Sequence, residues 1–281
     1  MNISKDRFRA SVPPLTTFLI FTVIFYLVGY WLIFRLERAS PLMMSVGLAA
    51  ILTCILHGRR LSSFGLLWGN SRYQWISFLV PLGIAGASYV IIWGLGFAEF
   101  NSGFADGARE TYNLGEWDDT SIILFHILLT MTFSLALSIP SILGEELAWR
   151  GFLVPELSKS MSFGLVALIS GLLWSAFHWP LMIKGFYGSS STPLIFQLSI
   201  FTLFIVSNSV TLTYLRYKTN SVWSAVIFHA SSNMFIQKVF TPLTIVDQNS
   251  AWYVDEFGVV VPVVALFVAT FFWRKAKKEF S

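Results

Sequence analysis

Eight stretches of this 281-residue chain run without a charged residue, at about 14–34, 41–56, 74–98, 121–144, 161–183, 193–215, 221–237 and 257–273. Most reach the roughly 17–25 residues that a helix needs to cross a hydrocarbon core of about 30 Å. Inside that core a backbone must satisfy its own hydrogen bonds, so the economical architecture is all-α, a polytopic bundle of about eight transmembrane helices. The shortest stretches, 41–56 and 221–237, are the least secure spans. Composition agrees: 55% of residues are hydrophobic and 12% charged, against about 25% charged in soluble domains, and the mean hydropathy is +0.67.

The basic start precedes an apolar stretch of about 21 residues with no small-x-small cleavage pattern, which reads as a retained first helix rather than a signal peptide. With the N-terminus in the cytoplasm, the inner segments would carry 14 of the 19 Lys and Arg residues. These are Lys5, Arg7, Arg9, Arg59, Arg60, Arg72, Arg150, Lys159, Arg216, Lys218, Arg274, Lys275, Lys277 and Lys278. The outer segments would keep Arg35, Arg38, Arg109, Lys184 and Lys238. The expectation is therefore a multi-pass protein of the cell membrane with both termini cytoplasmic. A net charge of +4 is then accounted for by topology and anionic lipid, with no nucleic-acid partner.

No repeat or linker divides the chain. One integrated membrane domain is expected, made of N-terminal helices and an acidic outer loop (1–119), a central core (120–240), and an outer loop, last helix and basic tail (241–281). The acidic segment around 101–119 reads as a solvated connector. Pro140 is expected to end or kink the fourth helix, with Ser141 capping a new piece. The single cysteine, Cys54, excludes an internal disulfide and a cysteine metal cluster.

Three polar constellations interrupt the apolar segments: Glu145-Glu146-x-x-x-Arg150, Trp174-x-x-x-His178 and His229-x-x-x-Asn233. Ionisable groups at membrane depth are costly and usually mark function. Counted from Lys159 and Lys218, Glu145, His178, His229 and Asn233 stand roughly 21, 28, 17 and 22 Å along their helices, so the segments can converge at one level, reached from the cytoplasmic side. Glu146 and Arg150 are four apart and can pair on one helix face, leaving Glu145 to point elsewhere. His229 and Asn233 would present an imidazole and an amide side by side. His57 and His126 read as packing residues. A carboxylate, two histidines and an amide supply a general base, a second group to orient water and donors for an oxyanion. Glu145, His178 and His229 also suffice as three zinc ligands with an open position, although no His-Glu-x-x-His pair is present.

In order and spacing over about residues 120–240, these motifs resemble the signature of the CPBP family, which includes type II CAAX prenyl proteases and bacteriocin-processing and bacteriocin-immunity proteins and is also called the ABI family. Trp174 stands where such proteins often carry phenylalanine. The resemblance implies an intramembrane endopeptidase acting on a hydrophobic or lipidated peptide, CAAX-type or leader. It implies Glu145 as the base that activates water with His178 assisting, His229 and Asn233 at the oxyanion, and Glu146, Arg150 and Trp174 in support. A metal-free glutamate mechanism is favoured over zinc. Two other functions use the same residues: a non-proteolytic immunity or assembly partner, which would not need the base, and a proton-coupled transporter, for which the two halves show no repeat relation.

Overall fold

The computed structural model describes residues 12–36 and 39–280. Of the basic residues counted above, Lys5, Arg7, Arg9 and Arg38 lie outside the described residues. The described chain is helical, and a single bridge between Phe100 and Thr244 is the extended pairing within it. The helices are α1 (Pro14–Leu36), α2 (Ser40–Leu56), α3 (Ser71–Gly94), α4 (Phe104–Tyr112), α5 (Asp119–Leu129), α6 (Leu135–Glu146), α7 (Val154–Leu157), α8 (Phe163–Ile183), α9 (Leu194–Thr219), α10 (Trp223–Asn233) and α11 (Val260–Glu279).

All eight uncharged stretches are helical in the main. Five helical stretches are long and apolar enough to cross a membrane: Pro14–Leu36, Ser71–Gly94, Asp119–Leu157, Phe163–Ile183 and Leu194–Thr219. Ser40–Leu56 is apolar but shorter, and 221–237 falls on α10 and the π-helical turns of Met234–Phe240. The bundle is polytopic and all-α, as the charge-free runs require.

Pro140 does not break its helix. α5, the π-helical Thr130–Ser134, α6, the π-helical Leu147–Leu153 and α7 form one 39-residue stretch, with Pro140 inside α6. Membrane helices tolerate proline where neighbouring groups take up the freed carbonyls. Here serines brace the carbonyls on either side of the one that Pro140 frees. Ser138 Oγ donates to Leu135 O at 2.8 Å, and Ser141 Oγ donates to Ser138 O at 3.0 Å, so Ser141 is an internal brace rather than a cap.

The expected acidic connector holds α4, pinned by Arg109 to Asp106 and Asp119 at 2.5 Å each. The helices alternate in direction, placing the connections 57–70, 158–162 and 220–222 on the side where α1 starts and α11 ends, the termini side, and 95–118, 184–193 and 241–259 on the far side. On the terminal side, Arg59 clamps Glu156 at 2.7 Å. α2 and α6 cross almost backbone to backbone, because a Cβ at Gly47 would lie 2.4 Å from Gly144 O. That crossing sets the depth of the residue after Gly144, which is Glu145.

Candidate active site

The three constellations meet. Glu145 ends α6, Trp174 and His178 lie one turn apart on α8, and His229 sits on α10. All four line one cavity of about 580 Å³, together with Asn233. Two of the three motif helices turn π-helical immediately after their polar residues, at Leu147–Leu153 and Met234–Phe240. Such wide turns recur at functional sites. Each rotates the following face away from the one an uninterrupted helix would present.

Trp174 is the hub. Its Nε1 donates to Glu145 Oε2 at 2.8 Å, and its carbonyl accepts from His178 Nδ1 at 3.0 Å. Its ring lies 4.2 Å under the Arg150 guanidinium and 5.1 Å from the His229 ring. Reading this position as an aromatic swap missed the indole N–H, a donor that phenylalanine lacks.

Glu146 and Arg150 pair as their spacing implies, with Arg150 Nη1 donating to Oε1 at 3.1 Å and Oε2 at 3.2 Å. Neither has any solvent exposure. Glu146 Oε1 also accepts from His229 Nδ1 at 2.9 Å. That bond fixes the imidazole's orientation, so Glu146 acts through His229. The His178 and His229 residues keep 8% and 7% exposure, toward the cavity they line.

His178 donates from Nδ1 to a carbonyl, which can only accept, so in the neutral ring Nε2 carries a lone pair. That Nε2 lies 3.9 Å from Glu145 Oε2. The gap exceeds a hydrogen bond and lets one water donate a proton to each. Its lone pairs would then face the cavity.

Among the described residues no three His, Cys, Asp or Glu side chains stand close enough together to hold a metal ion. Glu145 Oε2 and His229 Nδ1 are bonded to Trp174 and Glu146, which leaves Glu145 Oε1 and the two Nε2 atoms as the free donors of the set.

His57 and His126 are packing residues, as expected. His57 Nε2 meets Thr17 Oγ1 at 3.0 Å. His126 donates from Nε2 to Lys238 O at 2.8 Å and meets Tyr112 Oη at 3.2 Å.

The cavity does not open where the depth count put it. Its lining includes Ile33, Ala39, Phe186, Tyr187, Gln237, Lys238 and Glu256, all at far-side helix ends or connections. The mouth therefore faces away from the side of the termini. Counting from inner loops gave depths without saying which end of the bundle is hollow. Glu256 and Tyr187 were missed as site residues. Their sequence signal was an acidic pair, Asp255-Glu256, set between apolar neighbours just before a membrane-length helix.

Fold and site together define a polytopic helical membrane protein built around a buried carboxylate–histidine centre. Residues 124–235 match the family described as "Type II CAAX prenyl endopeptidase Rce1-like". The chain is also 31% identical over 118 residues to the "CAAX prenyl protease 2" of Methanococcus maripaludis, across 40% of this chain and 38% of that relative. The likeness thus spans less than half of either protein. The family match covers the segment that carries all three constellations and bears out their resemblance to the CPBP family of intramembrane proteases.

Proposed function

We propose that this protein is an intramembrane endopeptidase that hydrolyses a peptide bond of a membrane-associated, hydrophobic peptide by a metal-free glutamate mechanism. The observation that carries the reading is the 3.9 Å gap between Glu145 Oε2 and His178 Nε2 on the wall of an accessible cavity. Water held there gives a proton to Glu145 as its oxygen attacks the scissile carbonyl, and Glu145 passes that proton to the departing amine. Asn233, one turn beyond His229 on the facing helix, offers its amide N–H to polarise the carbonyl and hold the oxyanion; His229, which gives its Nδ1 proton to Glu146, joins it as the imidazolium, with Nε2 also protonated and the Glu146 carboxylate answering the charge. The lipid bilayer is the second partner. The relative's name makes a CAAX-type substrate the first class to try, with leader peptides the second.

The Lys and Arg bias of the loops puts the termini side in the cytoplasm. In that orientation the mouth of the cavity opens toward the opposite face, and substrate arrives from there or from within the bilayer.

The test is cleavage of a quenched fluorescent library of hydrophobic peptides by the purified full chain in detergent. Activity lost in Glu145→Ala and in His178→Ala, yet kept under a zinc chelator, is the expected result. Turnover retained in both variants, with each variant still accumulating in the membrane, would sink the proposal.

A further inference from the structure

Glu256, in the connection between α10 and α11, is 3% exposed and lines the same cavity as Glu145. Its Oε1 accepts from Tyr187 Oη at 3.0 Å and from Gln237 Nε2 at 2.8 Å. Its Oε2 has no hydrogen-bond partner among the described residues. Both donors are neutral, and Lys238 in the same lining does not bond to it. Two donated hydrogen bonds favour the carboxylate form, yet among the described residues no cation answers it. A buried carboxylate without one is costly to hold.

The local backbone is built to aim this side chain. Asp255 adopts a left-handed conformation, φ 59°, and a Cβ at Gly258 would lie 2.4 Å from the backbone of Tyr253 and Val254. The turn is therefore tightly wound at the residues on either side of Glu256. Burial, then the neighbouring Glu256 charge, pushes the Asp255 carboxyl well above the usual range. Burial also pushes the Glu256 carboxyl up, against the Tyr187 and Gln237 hydrogen bonds that pull it down, so a cation seated at Oε2 would favour its charged form.

We infer that Glu256, aimed by Tyr187 and Gln237, is a recognition subsite for a cationic side chain of the bound peptide, a lysine ammonium or an arginine guanidinium. This rests on the protease reading for what occupies the cavity. The Tyr187 ring lies 5.8 Å from the His178 ring, so one tyrosine and one imidazole separate the subsite from Glu145. Along an extended peptide that span places the cation about three to five residues from the scissile bond.

The probe is a set of hydrophobic fluorescent peptides in which one residue is lysine, norleucine or glutamate, scanned through every position. Binding is read by anisotropy on the full chain carrying Glu145→Gln, and cleavage on the unaltered chain. At one position the lysine peptide should bind about tenfold more tightly than its norleucine twin, and Glu256→Gln should bring that ratio close to one without weakening the norleucine peptide. Tyr187→Phe, which removes one of the two aiming bonds, should lower the ratio part of the way. It serves in place of Glu256→Gln should that variant not accumulate. The inference is overturned when no position favours lysine, or when the preference survives both substitutions. Lysine preference without cleavage of any peptide would instead overturn the protease reading and leave the subsite standing.

Discussion

Trp174 shows how much of a site can hang on one atom that a residue class conceals. Read as an aromatic, it is interchangeable with phenylalanine. Read as an indole, it is the group that holds the Glu145 carboxylate. Trp174→Phe keeps the ring beneath Arg150 and removes the bond to Glu145 Oε2. A hydrogen bond to a charged group is worth about 1.5–3 kcal/mol, so kcat should fall roughly 10- to 100-fold with little change in membrane accumulation. Equal kcat in the two proteins, measured on one cleaved peptide, would assign Trp174 to packing alone. The pairing of Glu146 with Arg150 was legible in the sequence because i,i+4 spacing and opposite charge placed it. The bond from Glu146 to His229 was not, since it joins two helices whose relative rotation depends on a π-helical turn that no periodicity announces.

At the scale of elements, the sequence showed where helices lie and misjudged where one would stop. Proline signals a break in water, but between Leu135 and Ser141 serine hydroxyls brace carbonyls on either side of the one that Pro140 frees, and the helix runs on to Leu157. Helix packing depends on the glycine pair between α2 and α6. Gly47→Ala forces its Cβ against the Gly144 carbonyl, and overpacking of this kind costs about 1–3 kcal/mol. The expected outcome is a lower melting temperature together with a loss of turnover, because Glu145 moves with Gly144. The α10–α11 connection makes a separate prediction. The folded chain holds the Asp255 proton more tightly than the unfolded chain does. Stability from this group is therefore present below the ordinary carboxylate range and lost as pH rises through the raised value. Asn also suits the left-handed backbone there. Melting of Asp255→Asn should change less between about pH 5 and pH 8 than melting of the unaltered chain, and identical pH dependence in both would contradict the shift.

For the whole molecule, hydropathy made the bundle legible, whereas the hollow end was not, because a charge count orients loops and says nothing of the space between helices. Orientation can be read directly, since Cys54 is the lone cysteine and is buried. In a Cys54→Ala background, Lys238→Cys at the mouth should react with a membrane-impermeant maleimide on intact cells, and Lys159→Cys only after permeabilisation. The reverse pattern would turn the protein over. One wall of the cavity is a single helix thick: Ser134, Leu135 and Ser138 face inward, while Phe133 and Leu137 on the same stretch are 67% and 80% exposed. Parting that wall would join the reaction chamber to the lipid, and substrate would then be met in two dimensions. Turnover would follow the mole fraction of peptide among lipids rather than its molarity in the surrounding water, so that adding empty bilayer slows the reaction at constant volume.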